Sequence, residues 1–225
     1  VYYKNLVELD KANGYLFGGL GTEPNSQYDF KVYSGYFKLD RKIHSRIKLS
    51  TSFRLEKNQI DYLGETRGLN DYWELVNLPS VRHSNSDLMV GYRGSLVFVK
   101  NNSMNFISSI AKGYKSGGVN QQPYINDSNR NYEPEALYTI EMGIKYKNSS
   151  IRTNTNLFYG FRQDQQVSIS SQQIEGDPNS FIYYTSNAGS GTIFGIESEN
   201  KMILNENTTI TLSGSLLDTW VNDFD

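Results

Sequence analysis

Leu137-Tyr138-Thr139-Ile140-Glu141-Met142-Gly143-Ile144-Lys145-Tyr146-Lys147 is the stretch whose reading decides the fold. At period two, one face carries Tyr138, Ile140, Met142, Ile144 and Tyr146, and the other Thr139, Glu141, Gly143, Lys145 and Lys147. Such alternation is the signature of a strand with one apolar and one polar face. Tyrosines bracket the apolar stripe, and a tilted strand needs roughly 9 to 11 residues to cross the hydrocarbon, with aromatic rings preferred at both interfaces. The next segment alternates in the same way, Ile151, Thr153, Thr155, Leu157, Tyr159 and Phe161 against Arg152, Asn154 and Asn156. From Ile43 to Glu56, Ile43, Ser45, Ile47, Leu49, Thr51, Phe53 and Leu55 oppose His44, Arg46, Lys48, Ser50, Ser52, Arg54 and Glu56, which predicts one long strand. Segments 28–40 and 190–204 alternate less cleanly. Two architectures place charge opposite apolar surface. In a soluble sandwich the apolar face meets a second sheet, whereas in a large barrel it meets lipid and the charges meet a wet lumen. Soluble strands average about 5 to 6 residues, and the longer segments here favour the barrel.

The connections point the same way. Short polar turns are expected at 10–13, 40–42, 100–102, 147–149 and 205–207, each rich in Asn, Asp, Lys or Ser. Between them lie long connections at about 21–27, 58–86, 117–134 and 165–182, which hold Pro24, Pro79, Pro123, Pro134 and Pro178. Short turns on one end and long loops on the other are the pattern of an outer-membrane barrel.

Composition bounds the alternatives. Of 225 residues, 17 are Tyr, 11 Phe and 2 Trp, while only Ala12, Ala111, Ala136 and Ala188 are alanine, a strand composition rather than a helical one. The formal charge of -2 offers no global field for nucleic acid. With no cysteine, disulfides and thiolate chemistry are excluded. The longest apolar run, Leu96 to Val99, is far too short for a membrane helix. Val1-Tyr2-Tyr3-Lys4 has no charged and apolar leader pattern, so no signal peptide is expected in this stretch.

Against this background, Gly113-Tyr114-Lys115-Ser116-Gly117-Gly118-Val119-Asn120 resembles the G-Y-K-x-G-G-x-N segment of TonB-dependent receptors. It is followed in order by Pro134-Glu135, Glu141-Met142-Gly143-Ile144-Lys145, Phe158-Tyr159, Gln165-Gln166, Asn187-Ala188-Gly189 and Gly195-Ile196-Glu197. The series is similar to one running through the middle of that family's barrel. Upstream, Tyr33 to Leu39 and Leu49 to Arg54 resemble the preceding hairpin. The resemblance implies an all-β, antiparallel transmembrane barrel, a section of a large 22-stranded one. Residues 1–225 would then be a partial barrel domain, without plug domain, signal peptide or C-terminal closing strand. It further implies an outer-membrane uptake receptor of a Gram-negative bacterium, working with the TonB energy-coupling complex through a plug absent from this chain. The cargo would be a large scarce solute, a ferric siderophore first, with cobalamin and oligosaccharides next. A passive porin-like barrel and a soluble carbohydrate-binding β-sandwich are the alternatives.

No enzymatic constellation stands out. His44 and His83 have no second ligand at metal spacing, and no nucleophile elbow occurs. Gly18-Gly19-Leu20-Gly21 and Gly117-Gly118 lack the Lys-Ser/Thr that a phosphate loop requires. No catalytic residue, metal or cofactor is expected. Glu141, Lys145, Arg152, Glu197 and Glu199 are expected to line the lumen, mainly as ladders along the wall. The loops carry the candidate binding residues Trp73, Tyr124 and Arg130, with Tyr72, Arg82 and Tyr132 beside them. Aromatic rings with arginine suit an anionic, aryl-bearing chelate through stacking and charge-assisted hydrogen bonds, and suit a sugar nearly as well.

Overall fold

The computed structural model describes residues 2–6, 22–69, 75–122, 125–172, 175–176 and 181–222. One antiparallel meander makes the wall. Its strands in chain order are β1 (Tyr2–Leu6), β2 (Thr22–His44), β3 (Ile47–Leu69), β4 (Leu75–Asn77), β5 (Val81–Val99), β6 (Met104–Lys115), β9 (Glu135–Lys147), β10 (Ile151–Gln163), β13 (Ser190–Asn205) and β14 (Thr208–Val221). They pair in the order β1-β2-β3-β5-β6-β9-β10-β13-β14, with β4 added to β3, a ten-stranded sheet. The missing numbers are two small hairpins at the loop end, β7 (Gly118–Val119) with β8 (Asn131–Tyr132), and β11 (Gln166–Gln172) with β12 (Phe181–Asn187). Within the described residues the sheet is open, since β1 and β14 each have one neighbour.

The expected asymmetry of the two ends is present, with the turns placed by local chemistry. Asn101, Asn148 and Asn205 each accept a backbone N–H two residues on, from Ser103, Ser150 and Asn207, at 2.9, 2.9 and 3.0 Å. Asparagine side chains that mimic a backbone turn in this way explain why these polar triplets turn. The triplet 40–42 does not turn. Asp40, Arg41 and Lys42 pair with Ser50, Leu49 and Lys48, and the chain reverses at Ser45 and Arg46 after an irregularity between Lys42 and His44. Asp40 is instead held along the strand by Lys38 at 3.0 Å. The alternation from Ile43 to Glu56 is therefore the end of one strand and the start of the next. The turn expected at 10–13 lies outside the described residues.

The connection expected at 58–86 is shorter than its polarity suggests. β3 continues to Leu69 and β5 begins at Val81, so Asn58 pairs with Asp87, Ile60 with Asn85 and Tyr62 with His83. Segment 22–27 likewise belongs to β2. These extensions have no lipid-facing stripe, which is why they resemble loop in composition.

Register gives the strand tilt. From the end of β2, hydrogen-bonded partners run His44, Ile47, Phe98, Phe106, Ile144, Thr155 and Ser198, and Ser198 lies seven residues before the end of β13. The turn end thus descends about one residue per strand. At about 3.3 Å per residue and 4.8 Å between strands, seven residues over six steps correspond to a tilt of about 39°, within the range of membrane barrels.

The faces settle lipid barrel against sandwich. Leu96, Ile110, Ile140, Met142, Leu157, Tyr159, Ile196 and Leu216 share one face and are exposed, Met142 at 61% and Leu216 at 75%. No second sheet covers them among the described residues. A continuous apolar face over this many strands is far larger than a soluble monomer leaves bare. Toward the loop end the same face carries Tyr92, Lys112, Tyr138 and Phe161 in one register row. The Lys112 ammonium lies 5.3 Å from the Tyr138 ring centre, and the Tyr138 and Phe161 rings are 6.5 Å apart. Aromatic rings with a snorkelling lysine suit the headgroup level.

Candidate functional site at the loop end

The opposite face carries the polar groups. Glu141 on β9 accepts from Arg93 on β5 and from Ser109 on β6, both at 2.9 Å, a ladder across three strands. A second ladder joins Arg54 with Glu56 and with the Tyr114 hydroxyl, which Arg54 Nε reaches at 3.1 Å. Tyr114 lies over Gly91, where a Cβ would come within 3.0 Å of its ring. The expected ladder role thus holds for Glu141. Lys145, Arg152, Glu197 and Glu199 face the same side without an ion pair among the described residues. Lys147, Arg152 and Lys201 lie directly opposite one another in one register row near the turns.

At the loop end this face is covered. The segment after β6 folds back so that Val119 packs with Ile60 and Tyr62, flanked by Tyr28 and Val81. The Tyr62 hydroxyl donates to the carbonyl of Gln121 at 3.2 Å. Asn120 ties this segment to the β11–β12 hairpin. Its amide donates to the carbonyls of Asn129 (2.8 Å) and Thr185 (2.6 Å) and accepts the Thr185 N–H (2.8 Å). Asn187 closes a second tie, donating to the carbonyls of Glu133 (2.9 Å) and Asp164 (2.8 Å) and accepting the Glu133 N–H (2.7 Å). Gln166 donates to the carbonyls of Ser116 and Glu133, while its own N–H meets Glu135 at 3.0 Å. The motif residues Asn120, Glu135, Gln166 and Asn187, scattered over 68 positions, are one hydrogen-bond knot.

The candidate loop residues separate. Trp73 and Tyr124 lie outside the described residues, as does Tyr72. Arg130 is 3% exposed. Its guanidinium donates to the carbonyls of Asn120, Gln122 and Ile125 at 2.8 to 2.9 Å, so it clamps the loop from within. Burial pulls its pKa below the ordinary value, and Tyr62 and Asp127 offset this only in part. On β5, Asp87 accepts from the Gly117 N–H, and burial first, then Glu133, holds its carboxyl above the usual range.

A cavity of about 260 Å³ opens next to the knot, lined by Tyr28, Phe30, Lys115, Ser116, Gly117, Tyr132, Gln166 and Thr185. Tyr132 was among the aromatic loop residues expected from the sequence. Tyr28, Phe30 and Lys115 were not, because two of them sit within a strand segment and the third in a motif. Burial raises the Tyr28 and Tyr132 phenols, which remain neutral donors.

The profile of the family described as TonB dependent receptor-like, beta-barrel, matches residues 2–223. No protein of curated function matches the sequence significantly. Among solved structures, the ferric yersiniabactin uptake receptor FyuA from Yersinia pestis superposes with a TM-score of 0.70 at 17% identity, over 88% of this chain and 28% of that one. The siderophore receptor PiuA from Acinetobacter baumannii gives 0.60 at 18% identity, over 91% and 27%. The copper transporter OprC gives 0.58 at 11% identity, over 88% and 39%. The chain thus spans well under half of each, and at these identities the likeness is one of fold.

Proposed function

The chain belongs to the TonB-dependent receptor β-barrel family, and from that premise we propose that it forms part of the wall of an energy-coupled uptake receptor in the outer membrane of a Gram-negative bacterium, with a ferric siderophore as cargo. The family match over residues 2–223 carries this reading. Lipid is the partner of the apolar face, the TonB complex the partner reached through a plug region, and the loop end the place where cargo is met. Trp73 and Tyr124 remain the loop aromatics proposed to touch it. Arg130 contributes by holding the carbonyls of Asn120, Gln122 and Ile125.

Uptake of radioactive iron chelates by cells with and without the gene tests the proposal. The expected result is saturable uptake that requires the gene and stops when the proton-motive force is collapsed. Uptake that continues unchanged in de-energised cells would assign the barrel to passive diffusion instead.

A further inference from the structure

The lipid-facing side of the wall carries a charged patch near the loop end. Lys57 follows Phe53 and Leu55 on that face of β3 and is exposed, with Tyr33 of β2 and Leu88 of β5 directly opposite it. Tyr33 and Leu88 are 61% and 67% exposed. Lys31 stands one alternation further out on β2, and Lys112 shares the face on β6, beside the Tyr138 ring. At the turn end the cations Lys147, Arg152 and Lys201 take the lumen face instead.

Register brings the outward groups to one height. Lys57 pairs with Leu88 and Lys112 with Tyr92, four residues nearer the turns, while each step from β3 through β5 to β6 climbs toward the loop end. With the tilt found above, the Cα atoms of Lys31, Tyr33, Lys57, Lys112, Tyr138 and Phe161 fall in a band about 7 Å deep. Beyond this band the sign reverses on β2 and β3. Asp29 and Asp61 stand directly opposite each other, Lys31 reaches Asp29 at 3.3 Å, and the Ser84 hydroxyl donates to Asp61 at 2.7 Å. Lys57 and Lys112 have no ion pair among the described residues.

From the middle of the membrane outward, this face therefore runs from apolar side chains to rings with ammonium groups, and then to carboxylates. An amphiphile that matches the order has acyl chains, then phosphates, then sugar hydroxyls able to donate to carboxylates. Phosphatidylethanolamine offers neither a second phosphate nor a sugar. We propose that the patch is a binding site for a phosphorylated glycolipid of the outer leaflet, with its phosphates on Lys57 and Lys31 and on Lys112, its acyl chains on the apolar stripe, and its hydroxyls toward Asp29 and Asp61. Each lysine near a membrane surface adds attraction to an anionic lipid, and an ammonium on a phosphate oxygen makes a charge-assisted hydrogen bond. The inference takes only the outer-membrane setting from the proposed function and is independent of the cargo.

Native mass spectrometry of the full-length receptor in neutral detergent, titrated with diphosphoryl lipid A, monophosphoryl lipid A or phosphatidylethanolamine, tests the site. Diphosphoryl lipid A should be held most tightly and phosphatidylethanolamine least, and excess inorganic phosphate should not strip the lipid off. Lys57→Gln and Lys112→Gln should each weaken diphosphoryl lipid A about fivefold. Lys201→Gln, on the lumen face, should change nothing. Diphosphoryl lipid A binding unchanged in the Lys57→Gln, Lys112→Gln double variant would overturn the inference, as would equal retention of phosphatidylethanolamine or full displacement by inorganic phosphate. Iron-chelate uptake in the same cells keeps the two readings apart. Energy-dependent uptake without lysine-dependent lipid A binding sinks the lipid site alone, and lysine-dependent binding without such uptake sinks the receptor reading while the lipid site stands.

Discussion

Asn120 at the loop end and Asn148 at a turn each make three side-chain hydrogen bonds. Asn120 joins Asn129 and Thr185, 65 residues apart from it in the second case, and is 4% exposed. Asn148 serves only neighbours, the N–H groups of Ser150 and Ile151 and the Tyr146 hydroxyl, and is exposed. The same residue type thus does different things at the two ends. At the turns it shortens a connection, and water would replace its bonds if it were lost. At the loop end it joins two long segments over a covered face, where no water stands ready.

The contrast presupposes a lipid-facing belt between the ends, and disturbing that belt should have the largest effect. Met142→Arg should cost about 2 to 4 kcal/mol of folding stability in bilayers, and Lys145→Gln on the other face little. Denaturant titration in liposomes checks both, and equal effects would remove the distinction between lipid face and lumen. Asn120→Ala should cost about 2 to 3 kcal/mol of local stability, because it leaves buried backbone groups unpaired. The readout is faster amide exchange in 118–132 and 181–187 with the wall itself unchanged. Asn148→Ala should cost about 1 kcal/mol at most, since its partners are wet, and faster exchange confined to 148–151 would sharpen the contrast.

Asp87 supplies the smallest effect. Its carboxyl is held above the ordinary value of 3.8 by burial and by Glu133. The closed loop end therefore keeps a proton that an opened one releases, so closure is most favoured below the ordinary carboxylate range and loses support as pH rises through the raised value. Protection factors for Gly117 and Gly118 should fall over that interval, and Asp87→Asn should abolish the pH dependence.

Much of this was legible in the sequence for a physical reason. Lipid on one side and a wet lumen on the other impose a strict period of two, so 137–147 and 151–161 declared their strands and faces. Asparagine turns declared themselves at 101, 148 and 205. The extensions of β3 and β5 did not, because above the membrane both faces of a strand may be polar, and Asn58 or Asp87 then looks like loop. The 40–42 triplet misled because a strand end at the headgroup level is as polar as a turn. The burial of Arg130 and its bonds to loop carbonyls were not legible, because sequence shows charge but not burial. The knot was visible only as a series of motifs, since what unites Asn120, Gln166 and Asn187 is backbone hydrogen bonding across long separations.

The central claim is that the Asn-led turns and the covered loop end lie on opposite sides of an outer membrane. Residues 1–225 hold no cysteine, so Ser84→Cys and Asn148→Cys, in a full-length protein from which any cysteine outside them has been removed, can each be probed with a membrane-impermeant maleimide on intact cells. The account predicts that Ser84→Cys labels at once and Asn148→Cys only after the outer membrane is permeabilised; labelling of Asn148→Cys in intact cells would contradict it.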